Sequence, residues 1–181
     1  MKVNLFLATA ALAASLTTAA MAQTAIPVGP AALLGVAIGS EANSAATALK
    51  AQLGPGDDSG WVDGCEFNGV QERFITWGGL TTYFEVTDQG PVLINWSYGL
   101  DYDTGGARPG GPMLSQIQLP GGIAMGSNFA SAVRSYGGTP KVDDVFGVGI
   151  YDGNGFSLMT KDDNLNGPID QVAVPYFTYC D

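Results

Sequence analysis

A run of oxygen-bearing side chains near the carboxyl end has the spacing of a calcium loop. In the segment 162–170, Asp162, Asn164 and Asn166 alternate, Gly167 allows a sharp turn, and Asp170 follows. These residue types supply the oxygen ligands that Ca²⁺ prefers. The position that normally holds a bidentate Glu is Ala173, and both flanks read as strands rather than helices. A polar hairpin loop is therefore the favoured alternative to a calcium site at Asp162, Asn164, Asn166 and Asp170.

Three pairs of adjacent aspartates are the candidates for acid–base catalysis by a carboxylate-dependent hydrolase: Asp57-Asp58, Asp143-Asp144 and Asp162-Asp163. Each pair lies in a Gly- or Pro-rich stretch, and adjacent aspartates rarely converge on one point, so solvated turns are the favoured interpretation. The chain has no His to activate a nucleophile and no G-x-S-x-G motif. The sequence therefore indicates a non-catalytic protein.

Aromatic side chains form the candidate binding surface. Trp and Tyr anchor protein interfaces because each buries a large area and keeps one polar group. We predict that Tyr83, Trp96 and Tyr98 bind a partner protein, with Tyr83 the best surface candidate because it alternates with Phe84 and Val86. A place in the core is the favoured alternative for Trp96 and Tyr98, since strand aromatics usually pack beneath a helix.

The elements that position these residues follow from the hydrophobic pattern. Ala42 to Leu53 has helical spacing and stops at Gly54-Pro55, with Ser40 as the predicted N-cap, and Ser127 is predicted to cap a second, shorter helix. Residues 54 to 72 read as a loop. Six strands are predicted, three after each helix, at 73–77, 80–87, 91–98, 145–151, 156–161 and 169–175.

The first 22 residues have the composition of a signal peptide. Lys2 precedes an apolar stretch, and Ala20-Met21-Ala22 matches a cleavage site, so we expect an exported protein, periplasmic or extracellular, with no membrane anchor after cleavage. Loss of Lys2 would change the formal charge from −10 to −11, which argues against nucleic acid as a partner. In an exported chain, Cys65 and Cys180 are expected to form a disulfide, with a pair of free thiols as the alternative.

An internal repeat organises the chain. Gly35-Val36-Ala37-Ile38-Gly39-Ser40 returns 87 positions later as Gly122-Ile123-Ala124-Met125-Gly126-Ser127. It predicts an α+β protein with two tandem repeats, each a short helix followed by a three- to four-stranded antiparallel sheet. The predicted boundaries are the signal peptide at 1–22, a lead-in at 23–34, unit one at 35–98, a Gly- and Pro-rich connector at 99–118, and unit two at 119–181.

The repeated motif, together with Leu53-Gly54-Pro55 and Gly137 to Pro140, resembles two families. One is the tandem-repeat β-lactamase inhibitor protein family, and the other is the single-copy SmpA/BamE lipoproteins of outer-membrane assembly. The resemblance implies a protein-binding scaffold, either inhibitor-like or assembly-like. The chain departs from both families, because it has one Cys in each unit and no Cys directly after the cleavage site.

Overall fold

The structure is a computed structural model, and it describes residues 26–29, 32–64, 69–99, 111 and 116–175. The predicted signal peptide, the predicted disulfide between Cys65 and Cys180, and most of the predicted connector lie outside the described residues. None of the described helices is long and apolar enough to cross a lipid bilayer.

The described residues form two α-helices, a short 3-10 helix and twelve strands. The helices are α1 (Ala42–Leu53) and α2 (Phe129–Ser135), and the 3-10 helix is Pro120–Gly122. The strands of the first half are β1 (Ile26–Gly29), β2 (Ala32–Leu33), β3 (Val36–Ala37), β4 (Asp57–Asp63), β5 (Gln71–Trp77), β6 (Leu80–Thr87) and β7 (Gly90–Gly99). Those of the second half are β8 (Ile117–Gln118), β9 (Lys141–Val142), β10 (Gly149–Gly153), β11 (Phe156–Met159) and β12 (Gln171–Val174).

The larger sheet has eight antiparallel strands in the order β4-β5-β6-β7-β12-β11-β10-β9. The smaller sheet has the order β3-β2-β1-β8, in which β1 and β8 are parallel. The centre of the larger sheet is the pair β7 and β12, registered from Gly99 opposite Gln171 to Trp96 opposite Val174. This pair joins strands from the two halves of the chain into one sheet.

The predicted α+β architecture of two tandem repeats, each with its own helix and sheet, is wrong. The described chain is mostly β, and one continuous sheet takes the place of two repeated sheets. The hydrophobic pattern located six of the eight strands of the larger sheet, but it does not specify which strands pair across long stretches of chain. The direct pairing of β7 with β12 therefore had no signal in the sequence.

The repeated hexapeptide marks two similar connections, one to β7 and one to the segment just before β12. Gly39 N–H donates to Leu93 O at 2.7 Å, and Gly126 N–H donates to Ile169 O at 2.9 Å. In return, the N–H groups of Leu93 and Ile169 donate to the carbonyl of the serine after each glycine, both at 2.8 Å. Gly39 and Gly126 have φ of 88° and 81°, a region that favours glycine. The motif therefore recurs because two turns need the same backbone geometry.

The helix caps lie one residue beyond the predicted serines. The Glu41 carboxylate accepts hydrogen bonds from the N–H groups two and three residues ahead, at 2.9 and 2.8 Å. These bonds lower the pKa of Glu41. Asn128 Oδ1 accepts from Ser131 N–H at 2.9 Å at the start of α2. The backbones of Ser40 and Ser127 are instead bound to the sheet, which moves each helix start forward by one residue.

The main core lies between the two helices and one face of the large sheet. Inward side chains of alternate strand residues pack against small residues of α1 and against Phe129 and Val133 of α2. Trp77 Nε1 donates to Gly54 O at 2.9 Å, which ties the end of α1 to β5. A second buried cluster contains Val148, Ile150 and Met159. Because residues 150 and 159 alternate with core residues 151 and 158, this cluster lies on the opposite face of the sheet.

Candidate functional site

The three aromatic residues predicted to bind a partner lie in different environments. Trp96 is 0% exposed and Tyr98 is 1% exposed, and both belong to the core beneath the helices. In this structure neither offers a surface to another molecule. Tyr83 is half-buried on the opposite face, where its ring contacts Phe74 edge-on at 5.4 Å between centroids, and its hydroxyl lies 3.3 Å from Ser97 Oγ. Of the three, Tyr83 alone remains a candidate contact residue.

The segment predicted as a calcium loop is held together by its own oxygens. Asp162 Oδ1 accepts a hydrogen bond from Asn164 N–H at 3.0 Å, and Asn164 Oδ1 accepts from Asn166 N–H at 3.1 Å. These are two consecutive Asx turns, a common use of Asp and Asn in loops. The two turns of the loop backbone therefore explain why Asp and Asn alternate in this segment.

The fourth predicted ligand, Asp170, is 7% exposed. Its Oδ2 accepts a hydrogen bond from Lys161 N–H at 2.7 Å. Burial raises the pKa of Asp170, and the bond from Lys161 opposes that shift. Within the described part of the chain, no group of three or more His, Cys, Asp or Glu side chains is placed to hold a metal ion. The calcium site stays a prediction from the sequence.

Backbone carbonyls of the same loop accept hydrogen bonds from the first turn of α2. Phe129 N–H donates to Gly167 O at 2.9 Å, and Ala130 N–H donates to Leu165 O at 3.0 Å. Asn128 Nδ2 adds a bond to Asn166 O at 2.7 Å. N–H groups in the first turn of a helix have no partner within the helix, so these carbonyls supply one. The Asx turns thus shape a loop that anchors α2.

The acidic pairs are also engaged in structural contacts. Asp58 lies on β4 rather than in the predicted loop. Arg73 donates two hydrogen bonds to its carboxylate, from Nε at 2.9 Å and from Nη2 at 2.5 Å. Lys50 Nζ of α1 adds a contact of 2.7 Å to Oδ2. The two hydrogen bonds from Arg73 hold the pKa of Asp58 well below its usual range. This network joins α1, β4 and β5 at the edge of the sheet.

An exposed apolar pair lies on the turn between β9 and β10. Val145 is 83% exposed and Phe146 is 53% exposed. Asp143 Oδ1 accepts from the N–H groups of both, at 2.9 and 3.1 Å, and Gly147 N–H closes the turn on Asp143 O at 2.9 Å. We call Val145 and Phe146 the apolar tip. Its backbone is fixed in a turn while its side chains are exposed, which makes the apolar tip a candidate contact site.

Sequence reading missed the apolar tip because it placed Val145 at the start of a strand. β10 begins four residues later, at Gly149. The signal was present in the pair Asp143-Asp144 followed by Gly147, because Asp at the first position of a turn and Gly near its end form a common pattern. The apolar residues between them look like a strand when the turn chemistry is overlooked.

Buried Thr160 holds this turn beside the segment 162–168. Thr160 Oγ1 accepts from Gly149 N–H at 2.7 Å and donates to Asp162 O. Gly149 N–H also lies 3.1 Å from Asp162 O, and Thr160 N–H donates to Gly149 O at 2.9 Å. We call residues 143–147 and 160–168 together the loop end. It combines a missed apolar pair with the predicted Asp162 segment in one surface region.

The loop end has an acidic border. Asp144, Asp162 and Asp163 are exposed, and Asp143 is half-buried. Lys161 is the cation within the loop end, and Lys141 lies just before it. The region therefore has net negative charge, in keeping with a formal charge of −10 for the whole chain.

Comparison with known proteins gives no functional identification. No protein-family model and no curated protein matches the chain. Among solved structures, the crystal structure of the uncharacterized protein YfeY from Escherichia coli is similar, at 13% identity and a TM-score of 0.42. The match covers 83% of this chain and 99% of that one. At this TM-score the similarity supports no conclusion, and the resemblance to the β-lactamase inhibitor protein and SmpA/BamE families stays a prediction.

Proposed function

We propose that this chain is an exported, non-catalytic module that binds another protein through its apolar tip. The observation that carries the proposal is the exposure of Val145 and Phe146 on a turn whose backbone is hydrogen bonded to Asp143. Moving a large apolar side chain from water into a partner's recess lowers the free energy of binding. A fixed backbone reduces the entropy cost of that step. The export part of the proposal rests on the N-terminal sequence.

Inhibition of an enzyme and participation in envelope assembly are both compatible with this proposal. Both need a rigid contact element rather than a catalytic group. The acidic pairs support the non-catalytic part, because Asp58 and Asp143 are bound in structural contacts. Tyr83 would provide a second contact on the sheet face that lies opposite the helices.

A photo-crosslinking pull-down tests the proposal. A photoreactive amino acid replaces Val145 in the mature oxidised protein, which is then incubated with native envelope and secretome fractions. We expect one partner to be captured, and capture to be lost when Phe146→Ser is added. The matched control carries the photoreactive group at Val86, an apolar residue that is 40% exposed on β6.

Two results would argue against the tip as the contact site. One is equal capture from positions 145 and 86. The other is capture that persists in the Phe146→Ser variant, provided that the variant melts at the parental temperature. A Tyr83→Ala variant in the same assay separates the sheet face from the tip, because loss of capture in that variant alone would move the proposed site to the sheet.

A further inference from the structure

We infer that the protein bound by the apolar tip has an apolar recess bordered by lysine or arginine side chains. This inference rests on the proposed function, because it describes the partner of the same site. It follows from the exposed carboxylates on both segments of the loop end, which hydrogen bonds join at Gly149, two residues after the turn that presents Val145 and Phe146.

The first step is the position of the acids relative to the tip. Asp144 directly precedes Val145 on the same turn. Asp162 and Asp163 belong to the neighbouring segment, which is attached at Gly149 by hydrogen bonds of 2.7 to 3.1 Å. All three aspartates are exposed. A partner that covers the tip would therefore bring its own border residues close to these carboxylates.

The second step is the rigidity of that arrangement. Thr160 is 1% exposed and bridges Gly149 to Asp162, so the two segments of the loop end do not move independently without breaking buried hydrogen bonds. Asp162 is further fixed by its bond from Asn164 N–H. Charges that are fixed before binding add specificity at less entropy cost than charges on freely rotating side chains.

The third step is the choice of partner class. A partner with acidic border residues would bring like charges together, which costs free energy at an interface. An anionic lipid surface is disfavoured for the same reason, since the whole chain has a formal charge of −10. A protein with cations around an apolar recess satisfies both the tip and its border.

The test uses a phage-displayed library of random 12-residue peptides selected on the immobilised mature protein. Selected clones are then measured on four proteins: the parent, a tip variant, a loop-end charge variant and a control charge variant. The tip variant carries Val145→Ser and Phe146→Ser. The loop-end charge variant carries Asp144→Asn, Asp162→Asn and Asp163→Asn, which keeps the Oδ1 acceptor of residue 162.

The control charge variant removes the same number of charges at the opposite edge of the sheet. It carries Asp57→Asn and Asp63→Asn on β4 and Glu72→Gln on β5. All four proteins are compared by thermal melting before use. Because the two charge variants have the same net charge, any difference between them reports the location of the charges rather than their number.

We expect selected peptides in which Lys or Arg adjoins aromatic or aliphatic residues. The tip variant should bind them about thirtyfold more weakly or worse, as is typical for loss of an interface anchor. The loop-end charge variant should lose about tenfold, and the control charge variant about twofold or less.

Two results separate the inference from the proposed function. Peptides that need the tip but contain no excess of Lys and Arg, or that bind both charge variants equally, would overturn the cationic border and leave the tip intact as a contact site. If no selected peptide depends on the tip, the proposed contact site fails, and the inference fails with it.

Discussion

Trp96 and Tyr83 differ in position much more than in chemistry. Each is an aromatic residue on a central strand of the large sheet, and either type can anchor an interface. The core encloses Trp96, whereas Tyr83 lies on the other face beside Phe74. At the scale of single residues, the side of the sheet therefore decides which aromatic is available to a partner.

Truncation of these two residues should have unequal effects on stability. We expect Trp96→Ala to lower the free energy of unfolding by about 3–5 kcal/mol, because it leaves a cavity in the core. Tyr83→Ala should cost about 1 kcal/mol, since its ring is half-buried and packs mainly on Phe74. Urea unfolding at neutral pH measures both values. Similar losses for the two variants would contradict the assignment of Trp96 to the core and Tyr83 to the outer face.

The helix starts show how tertiary contacts shift an element by one residue. Ser is a good N-cap on propensity, and both predicted capping serines follow a glycine at the end of the repeated motif. In the structure the carbonyls of these serines accept hydrogen bonds from Leu93 of β7 and from Ile169, which lies just before β12. The capping role therefore passes to Glu41 and Asn128, whose side chains reach the free N–H groups.

Substitution at α2 distinguishes the observed cap from the predicted one. Asn128→Ala should lower the free energy of unfolding by about 1–2 kcal/mol, because it removes the cap and the bond to Asn166 O. Ser127→Ala should change it by less than about 0.5 kcal/mol, since the described contacts of Ser127 are made by its backbone. Thermal or urea unfolding of the two variants shows which substitution lowers the free energy of unfolding more. A larger loss from Ser127→Ala would indicate that Ser127, and not Asn128, caps the helix.

β4 is one of the strands that the hydrophobic pattern did not predict. β4 spans Asp57–Asp63, and all seven of its residues are exposed. Asp and Gly are depleted in strands, so this segment looked like a loop. Its position at the edge of the sheet explains the composition, because charges, the bulge between Asp58 and Trp61, and Gly60 at φ 66° discourage pairing with another chain. The contacts of Asp58 with Arg73 and Lys50 then hold the strand in place.

For the whole molecule, the continuous sheet predicts a single unfolding transition. Separate repeat units would be free to unfold separately, whereas pairing of β7 with β12 couples the two halves through a shared centre. All three Trp residues lie in the first half, at positions 61, 77 and 96, so their fluorescence reports that half, while far-UV circular dichroism reports the whole sheet. The two signals should share one midpoint in urea, and midpoints that differ beyond error would indicate independent units.

Local patterns in the chain were enough to predict both helices and six strands of the larger sheet. The stripe from Ala42 to Leu53 and the stop at Gly54 predicted the body and the end of α1, because helical spacing and a glycine stop act within a few residues. Alternation predicted β6 with the observed bounds, Leu80 to Thr87, since alternation records which face of a strand is buried. The hexapeptide was interpreted as a sign of two repeat units, whereas in the structure it marks two turns with the same glycine geometry.

The assembly of those elements depends on long-range contacts. Pairing of β7 with β12 depends on contacts between residues more than 70 positions apart, and no local pattern encodes it. The same sheet buried Trp96 and Tyr98, left Tyr83 on the opposite face, and placed the apolar tip beside the Asp162 segment through Thr160. Exposure is a property of the packed molecule, so the candidate site at Val145 and Phe146 emerged when the strands were assembled.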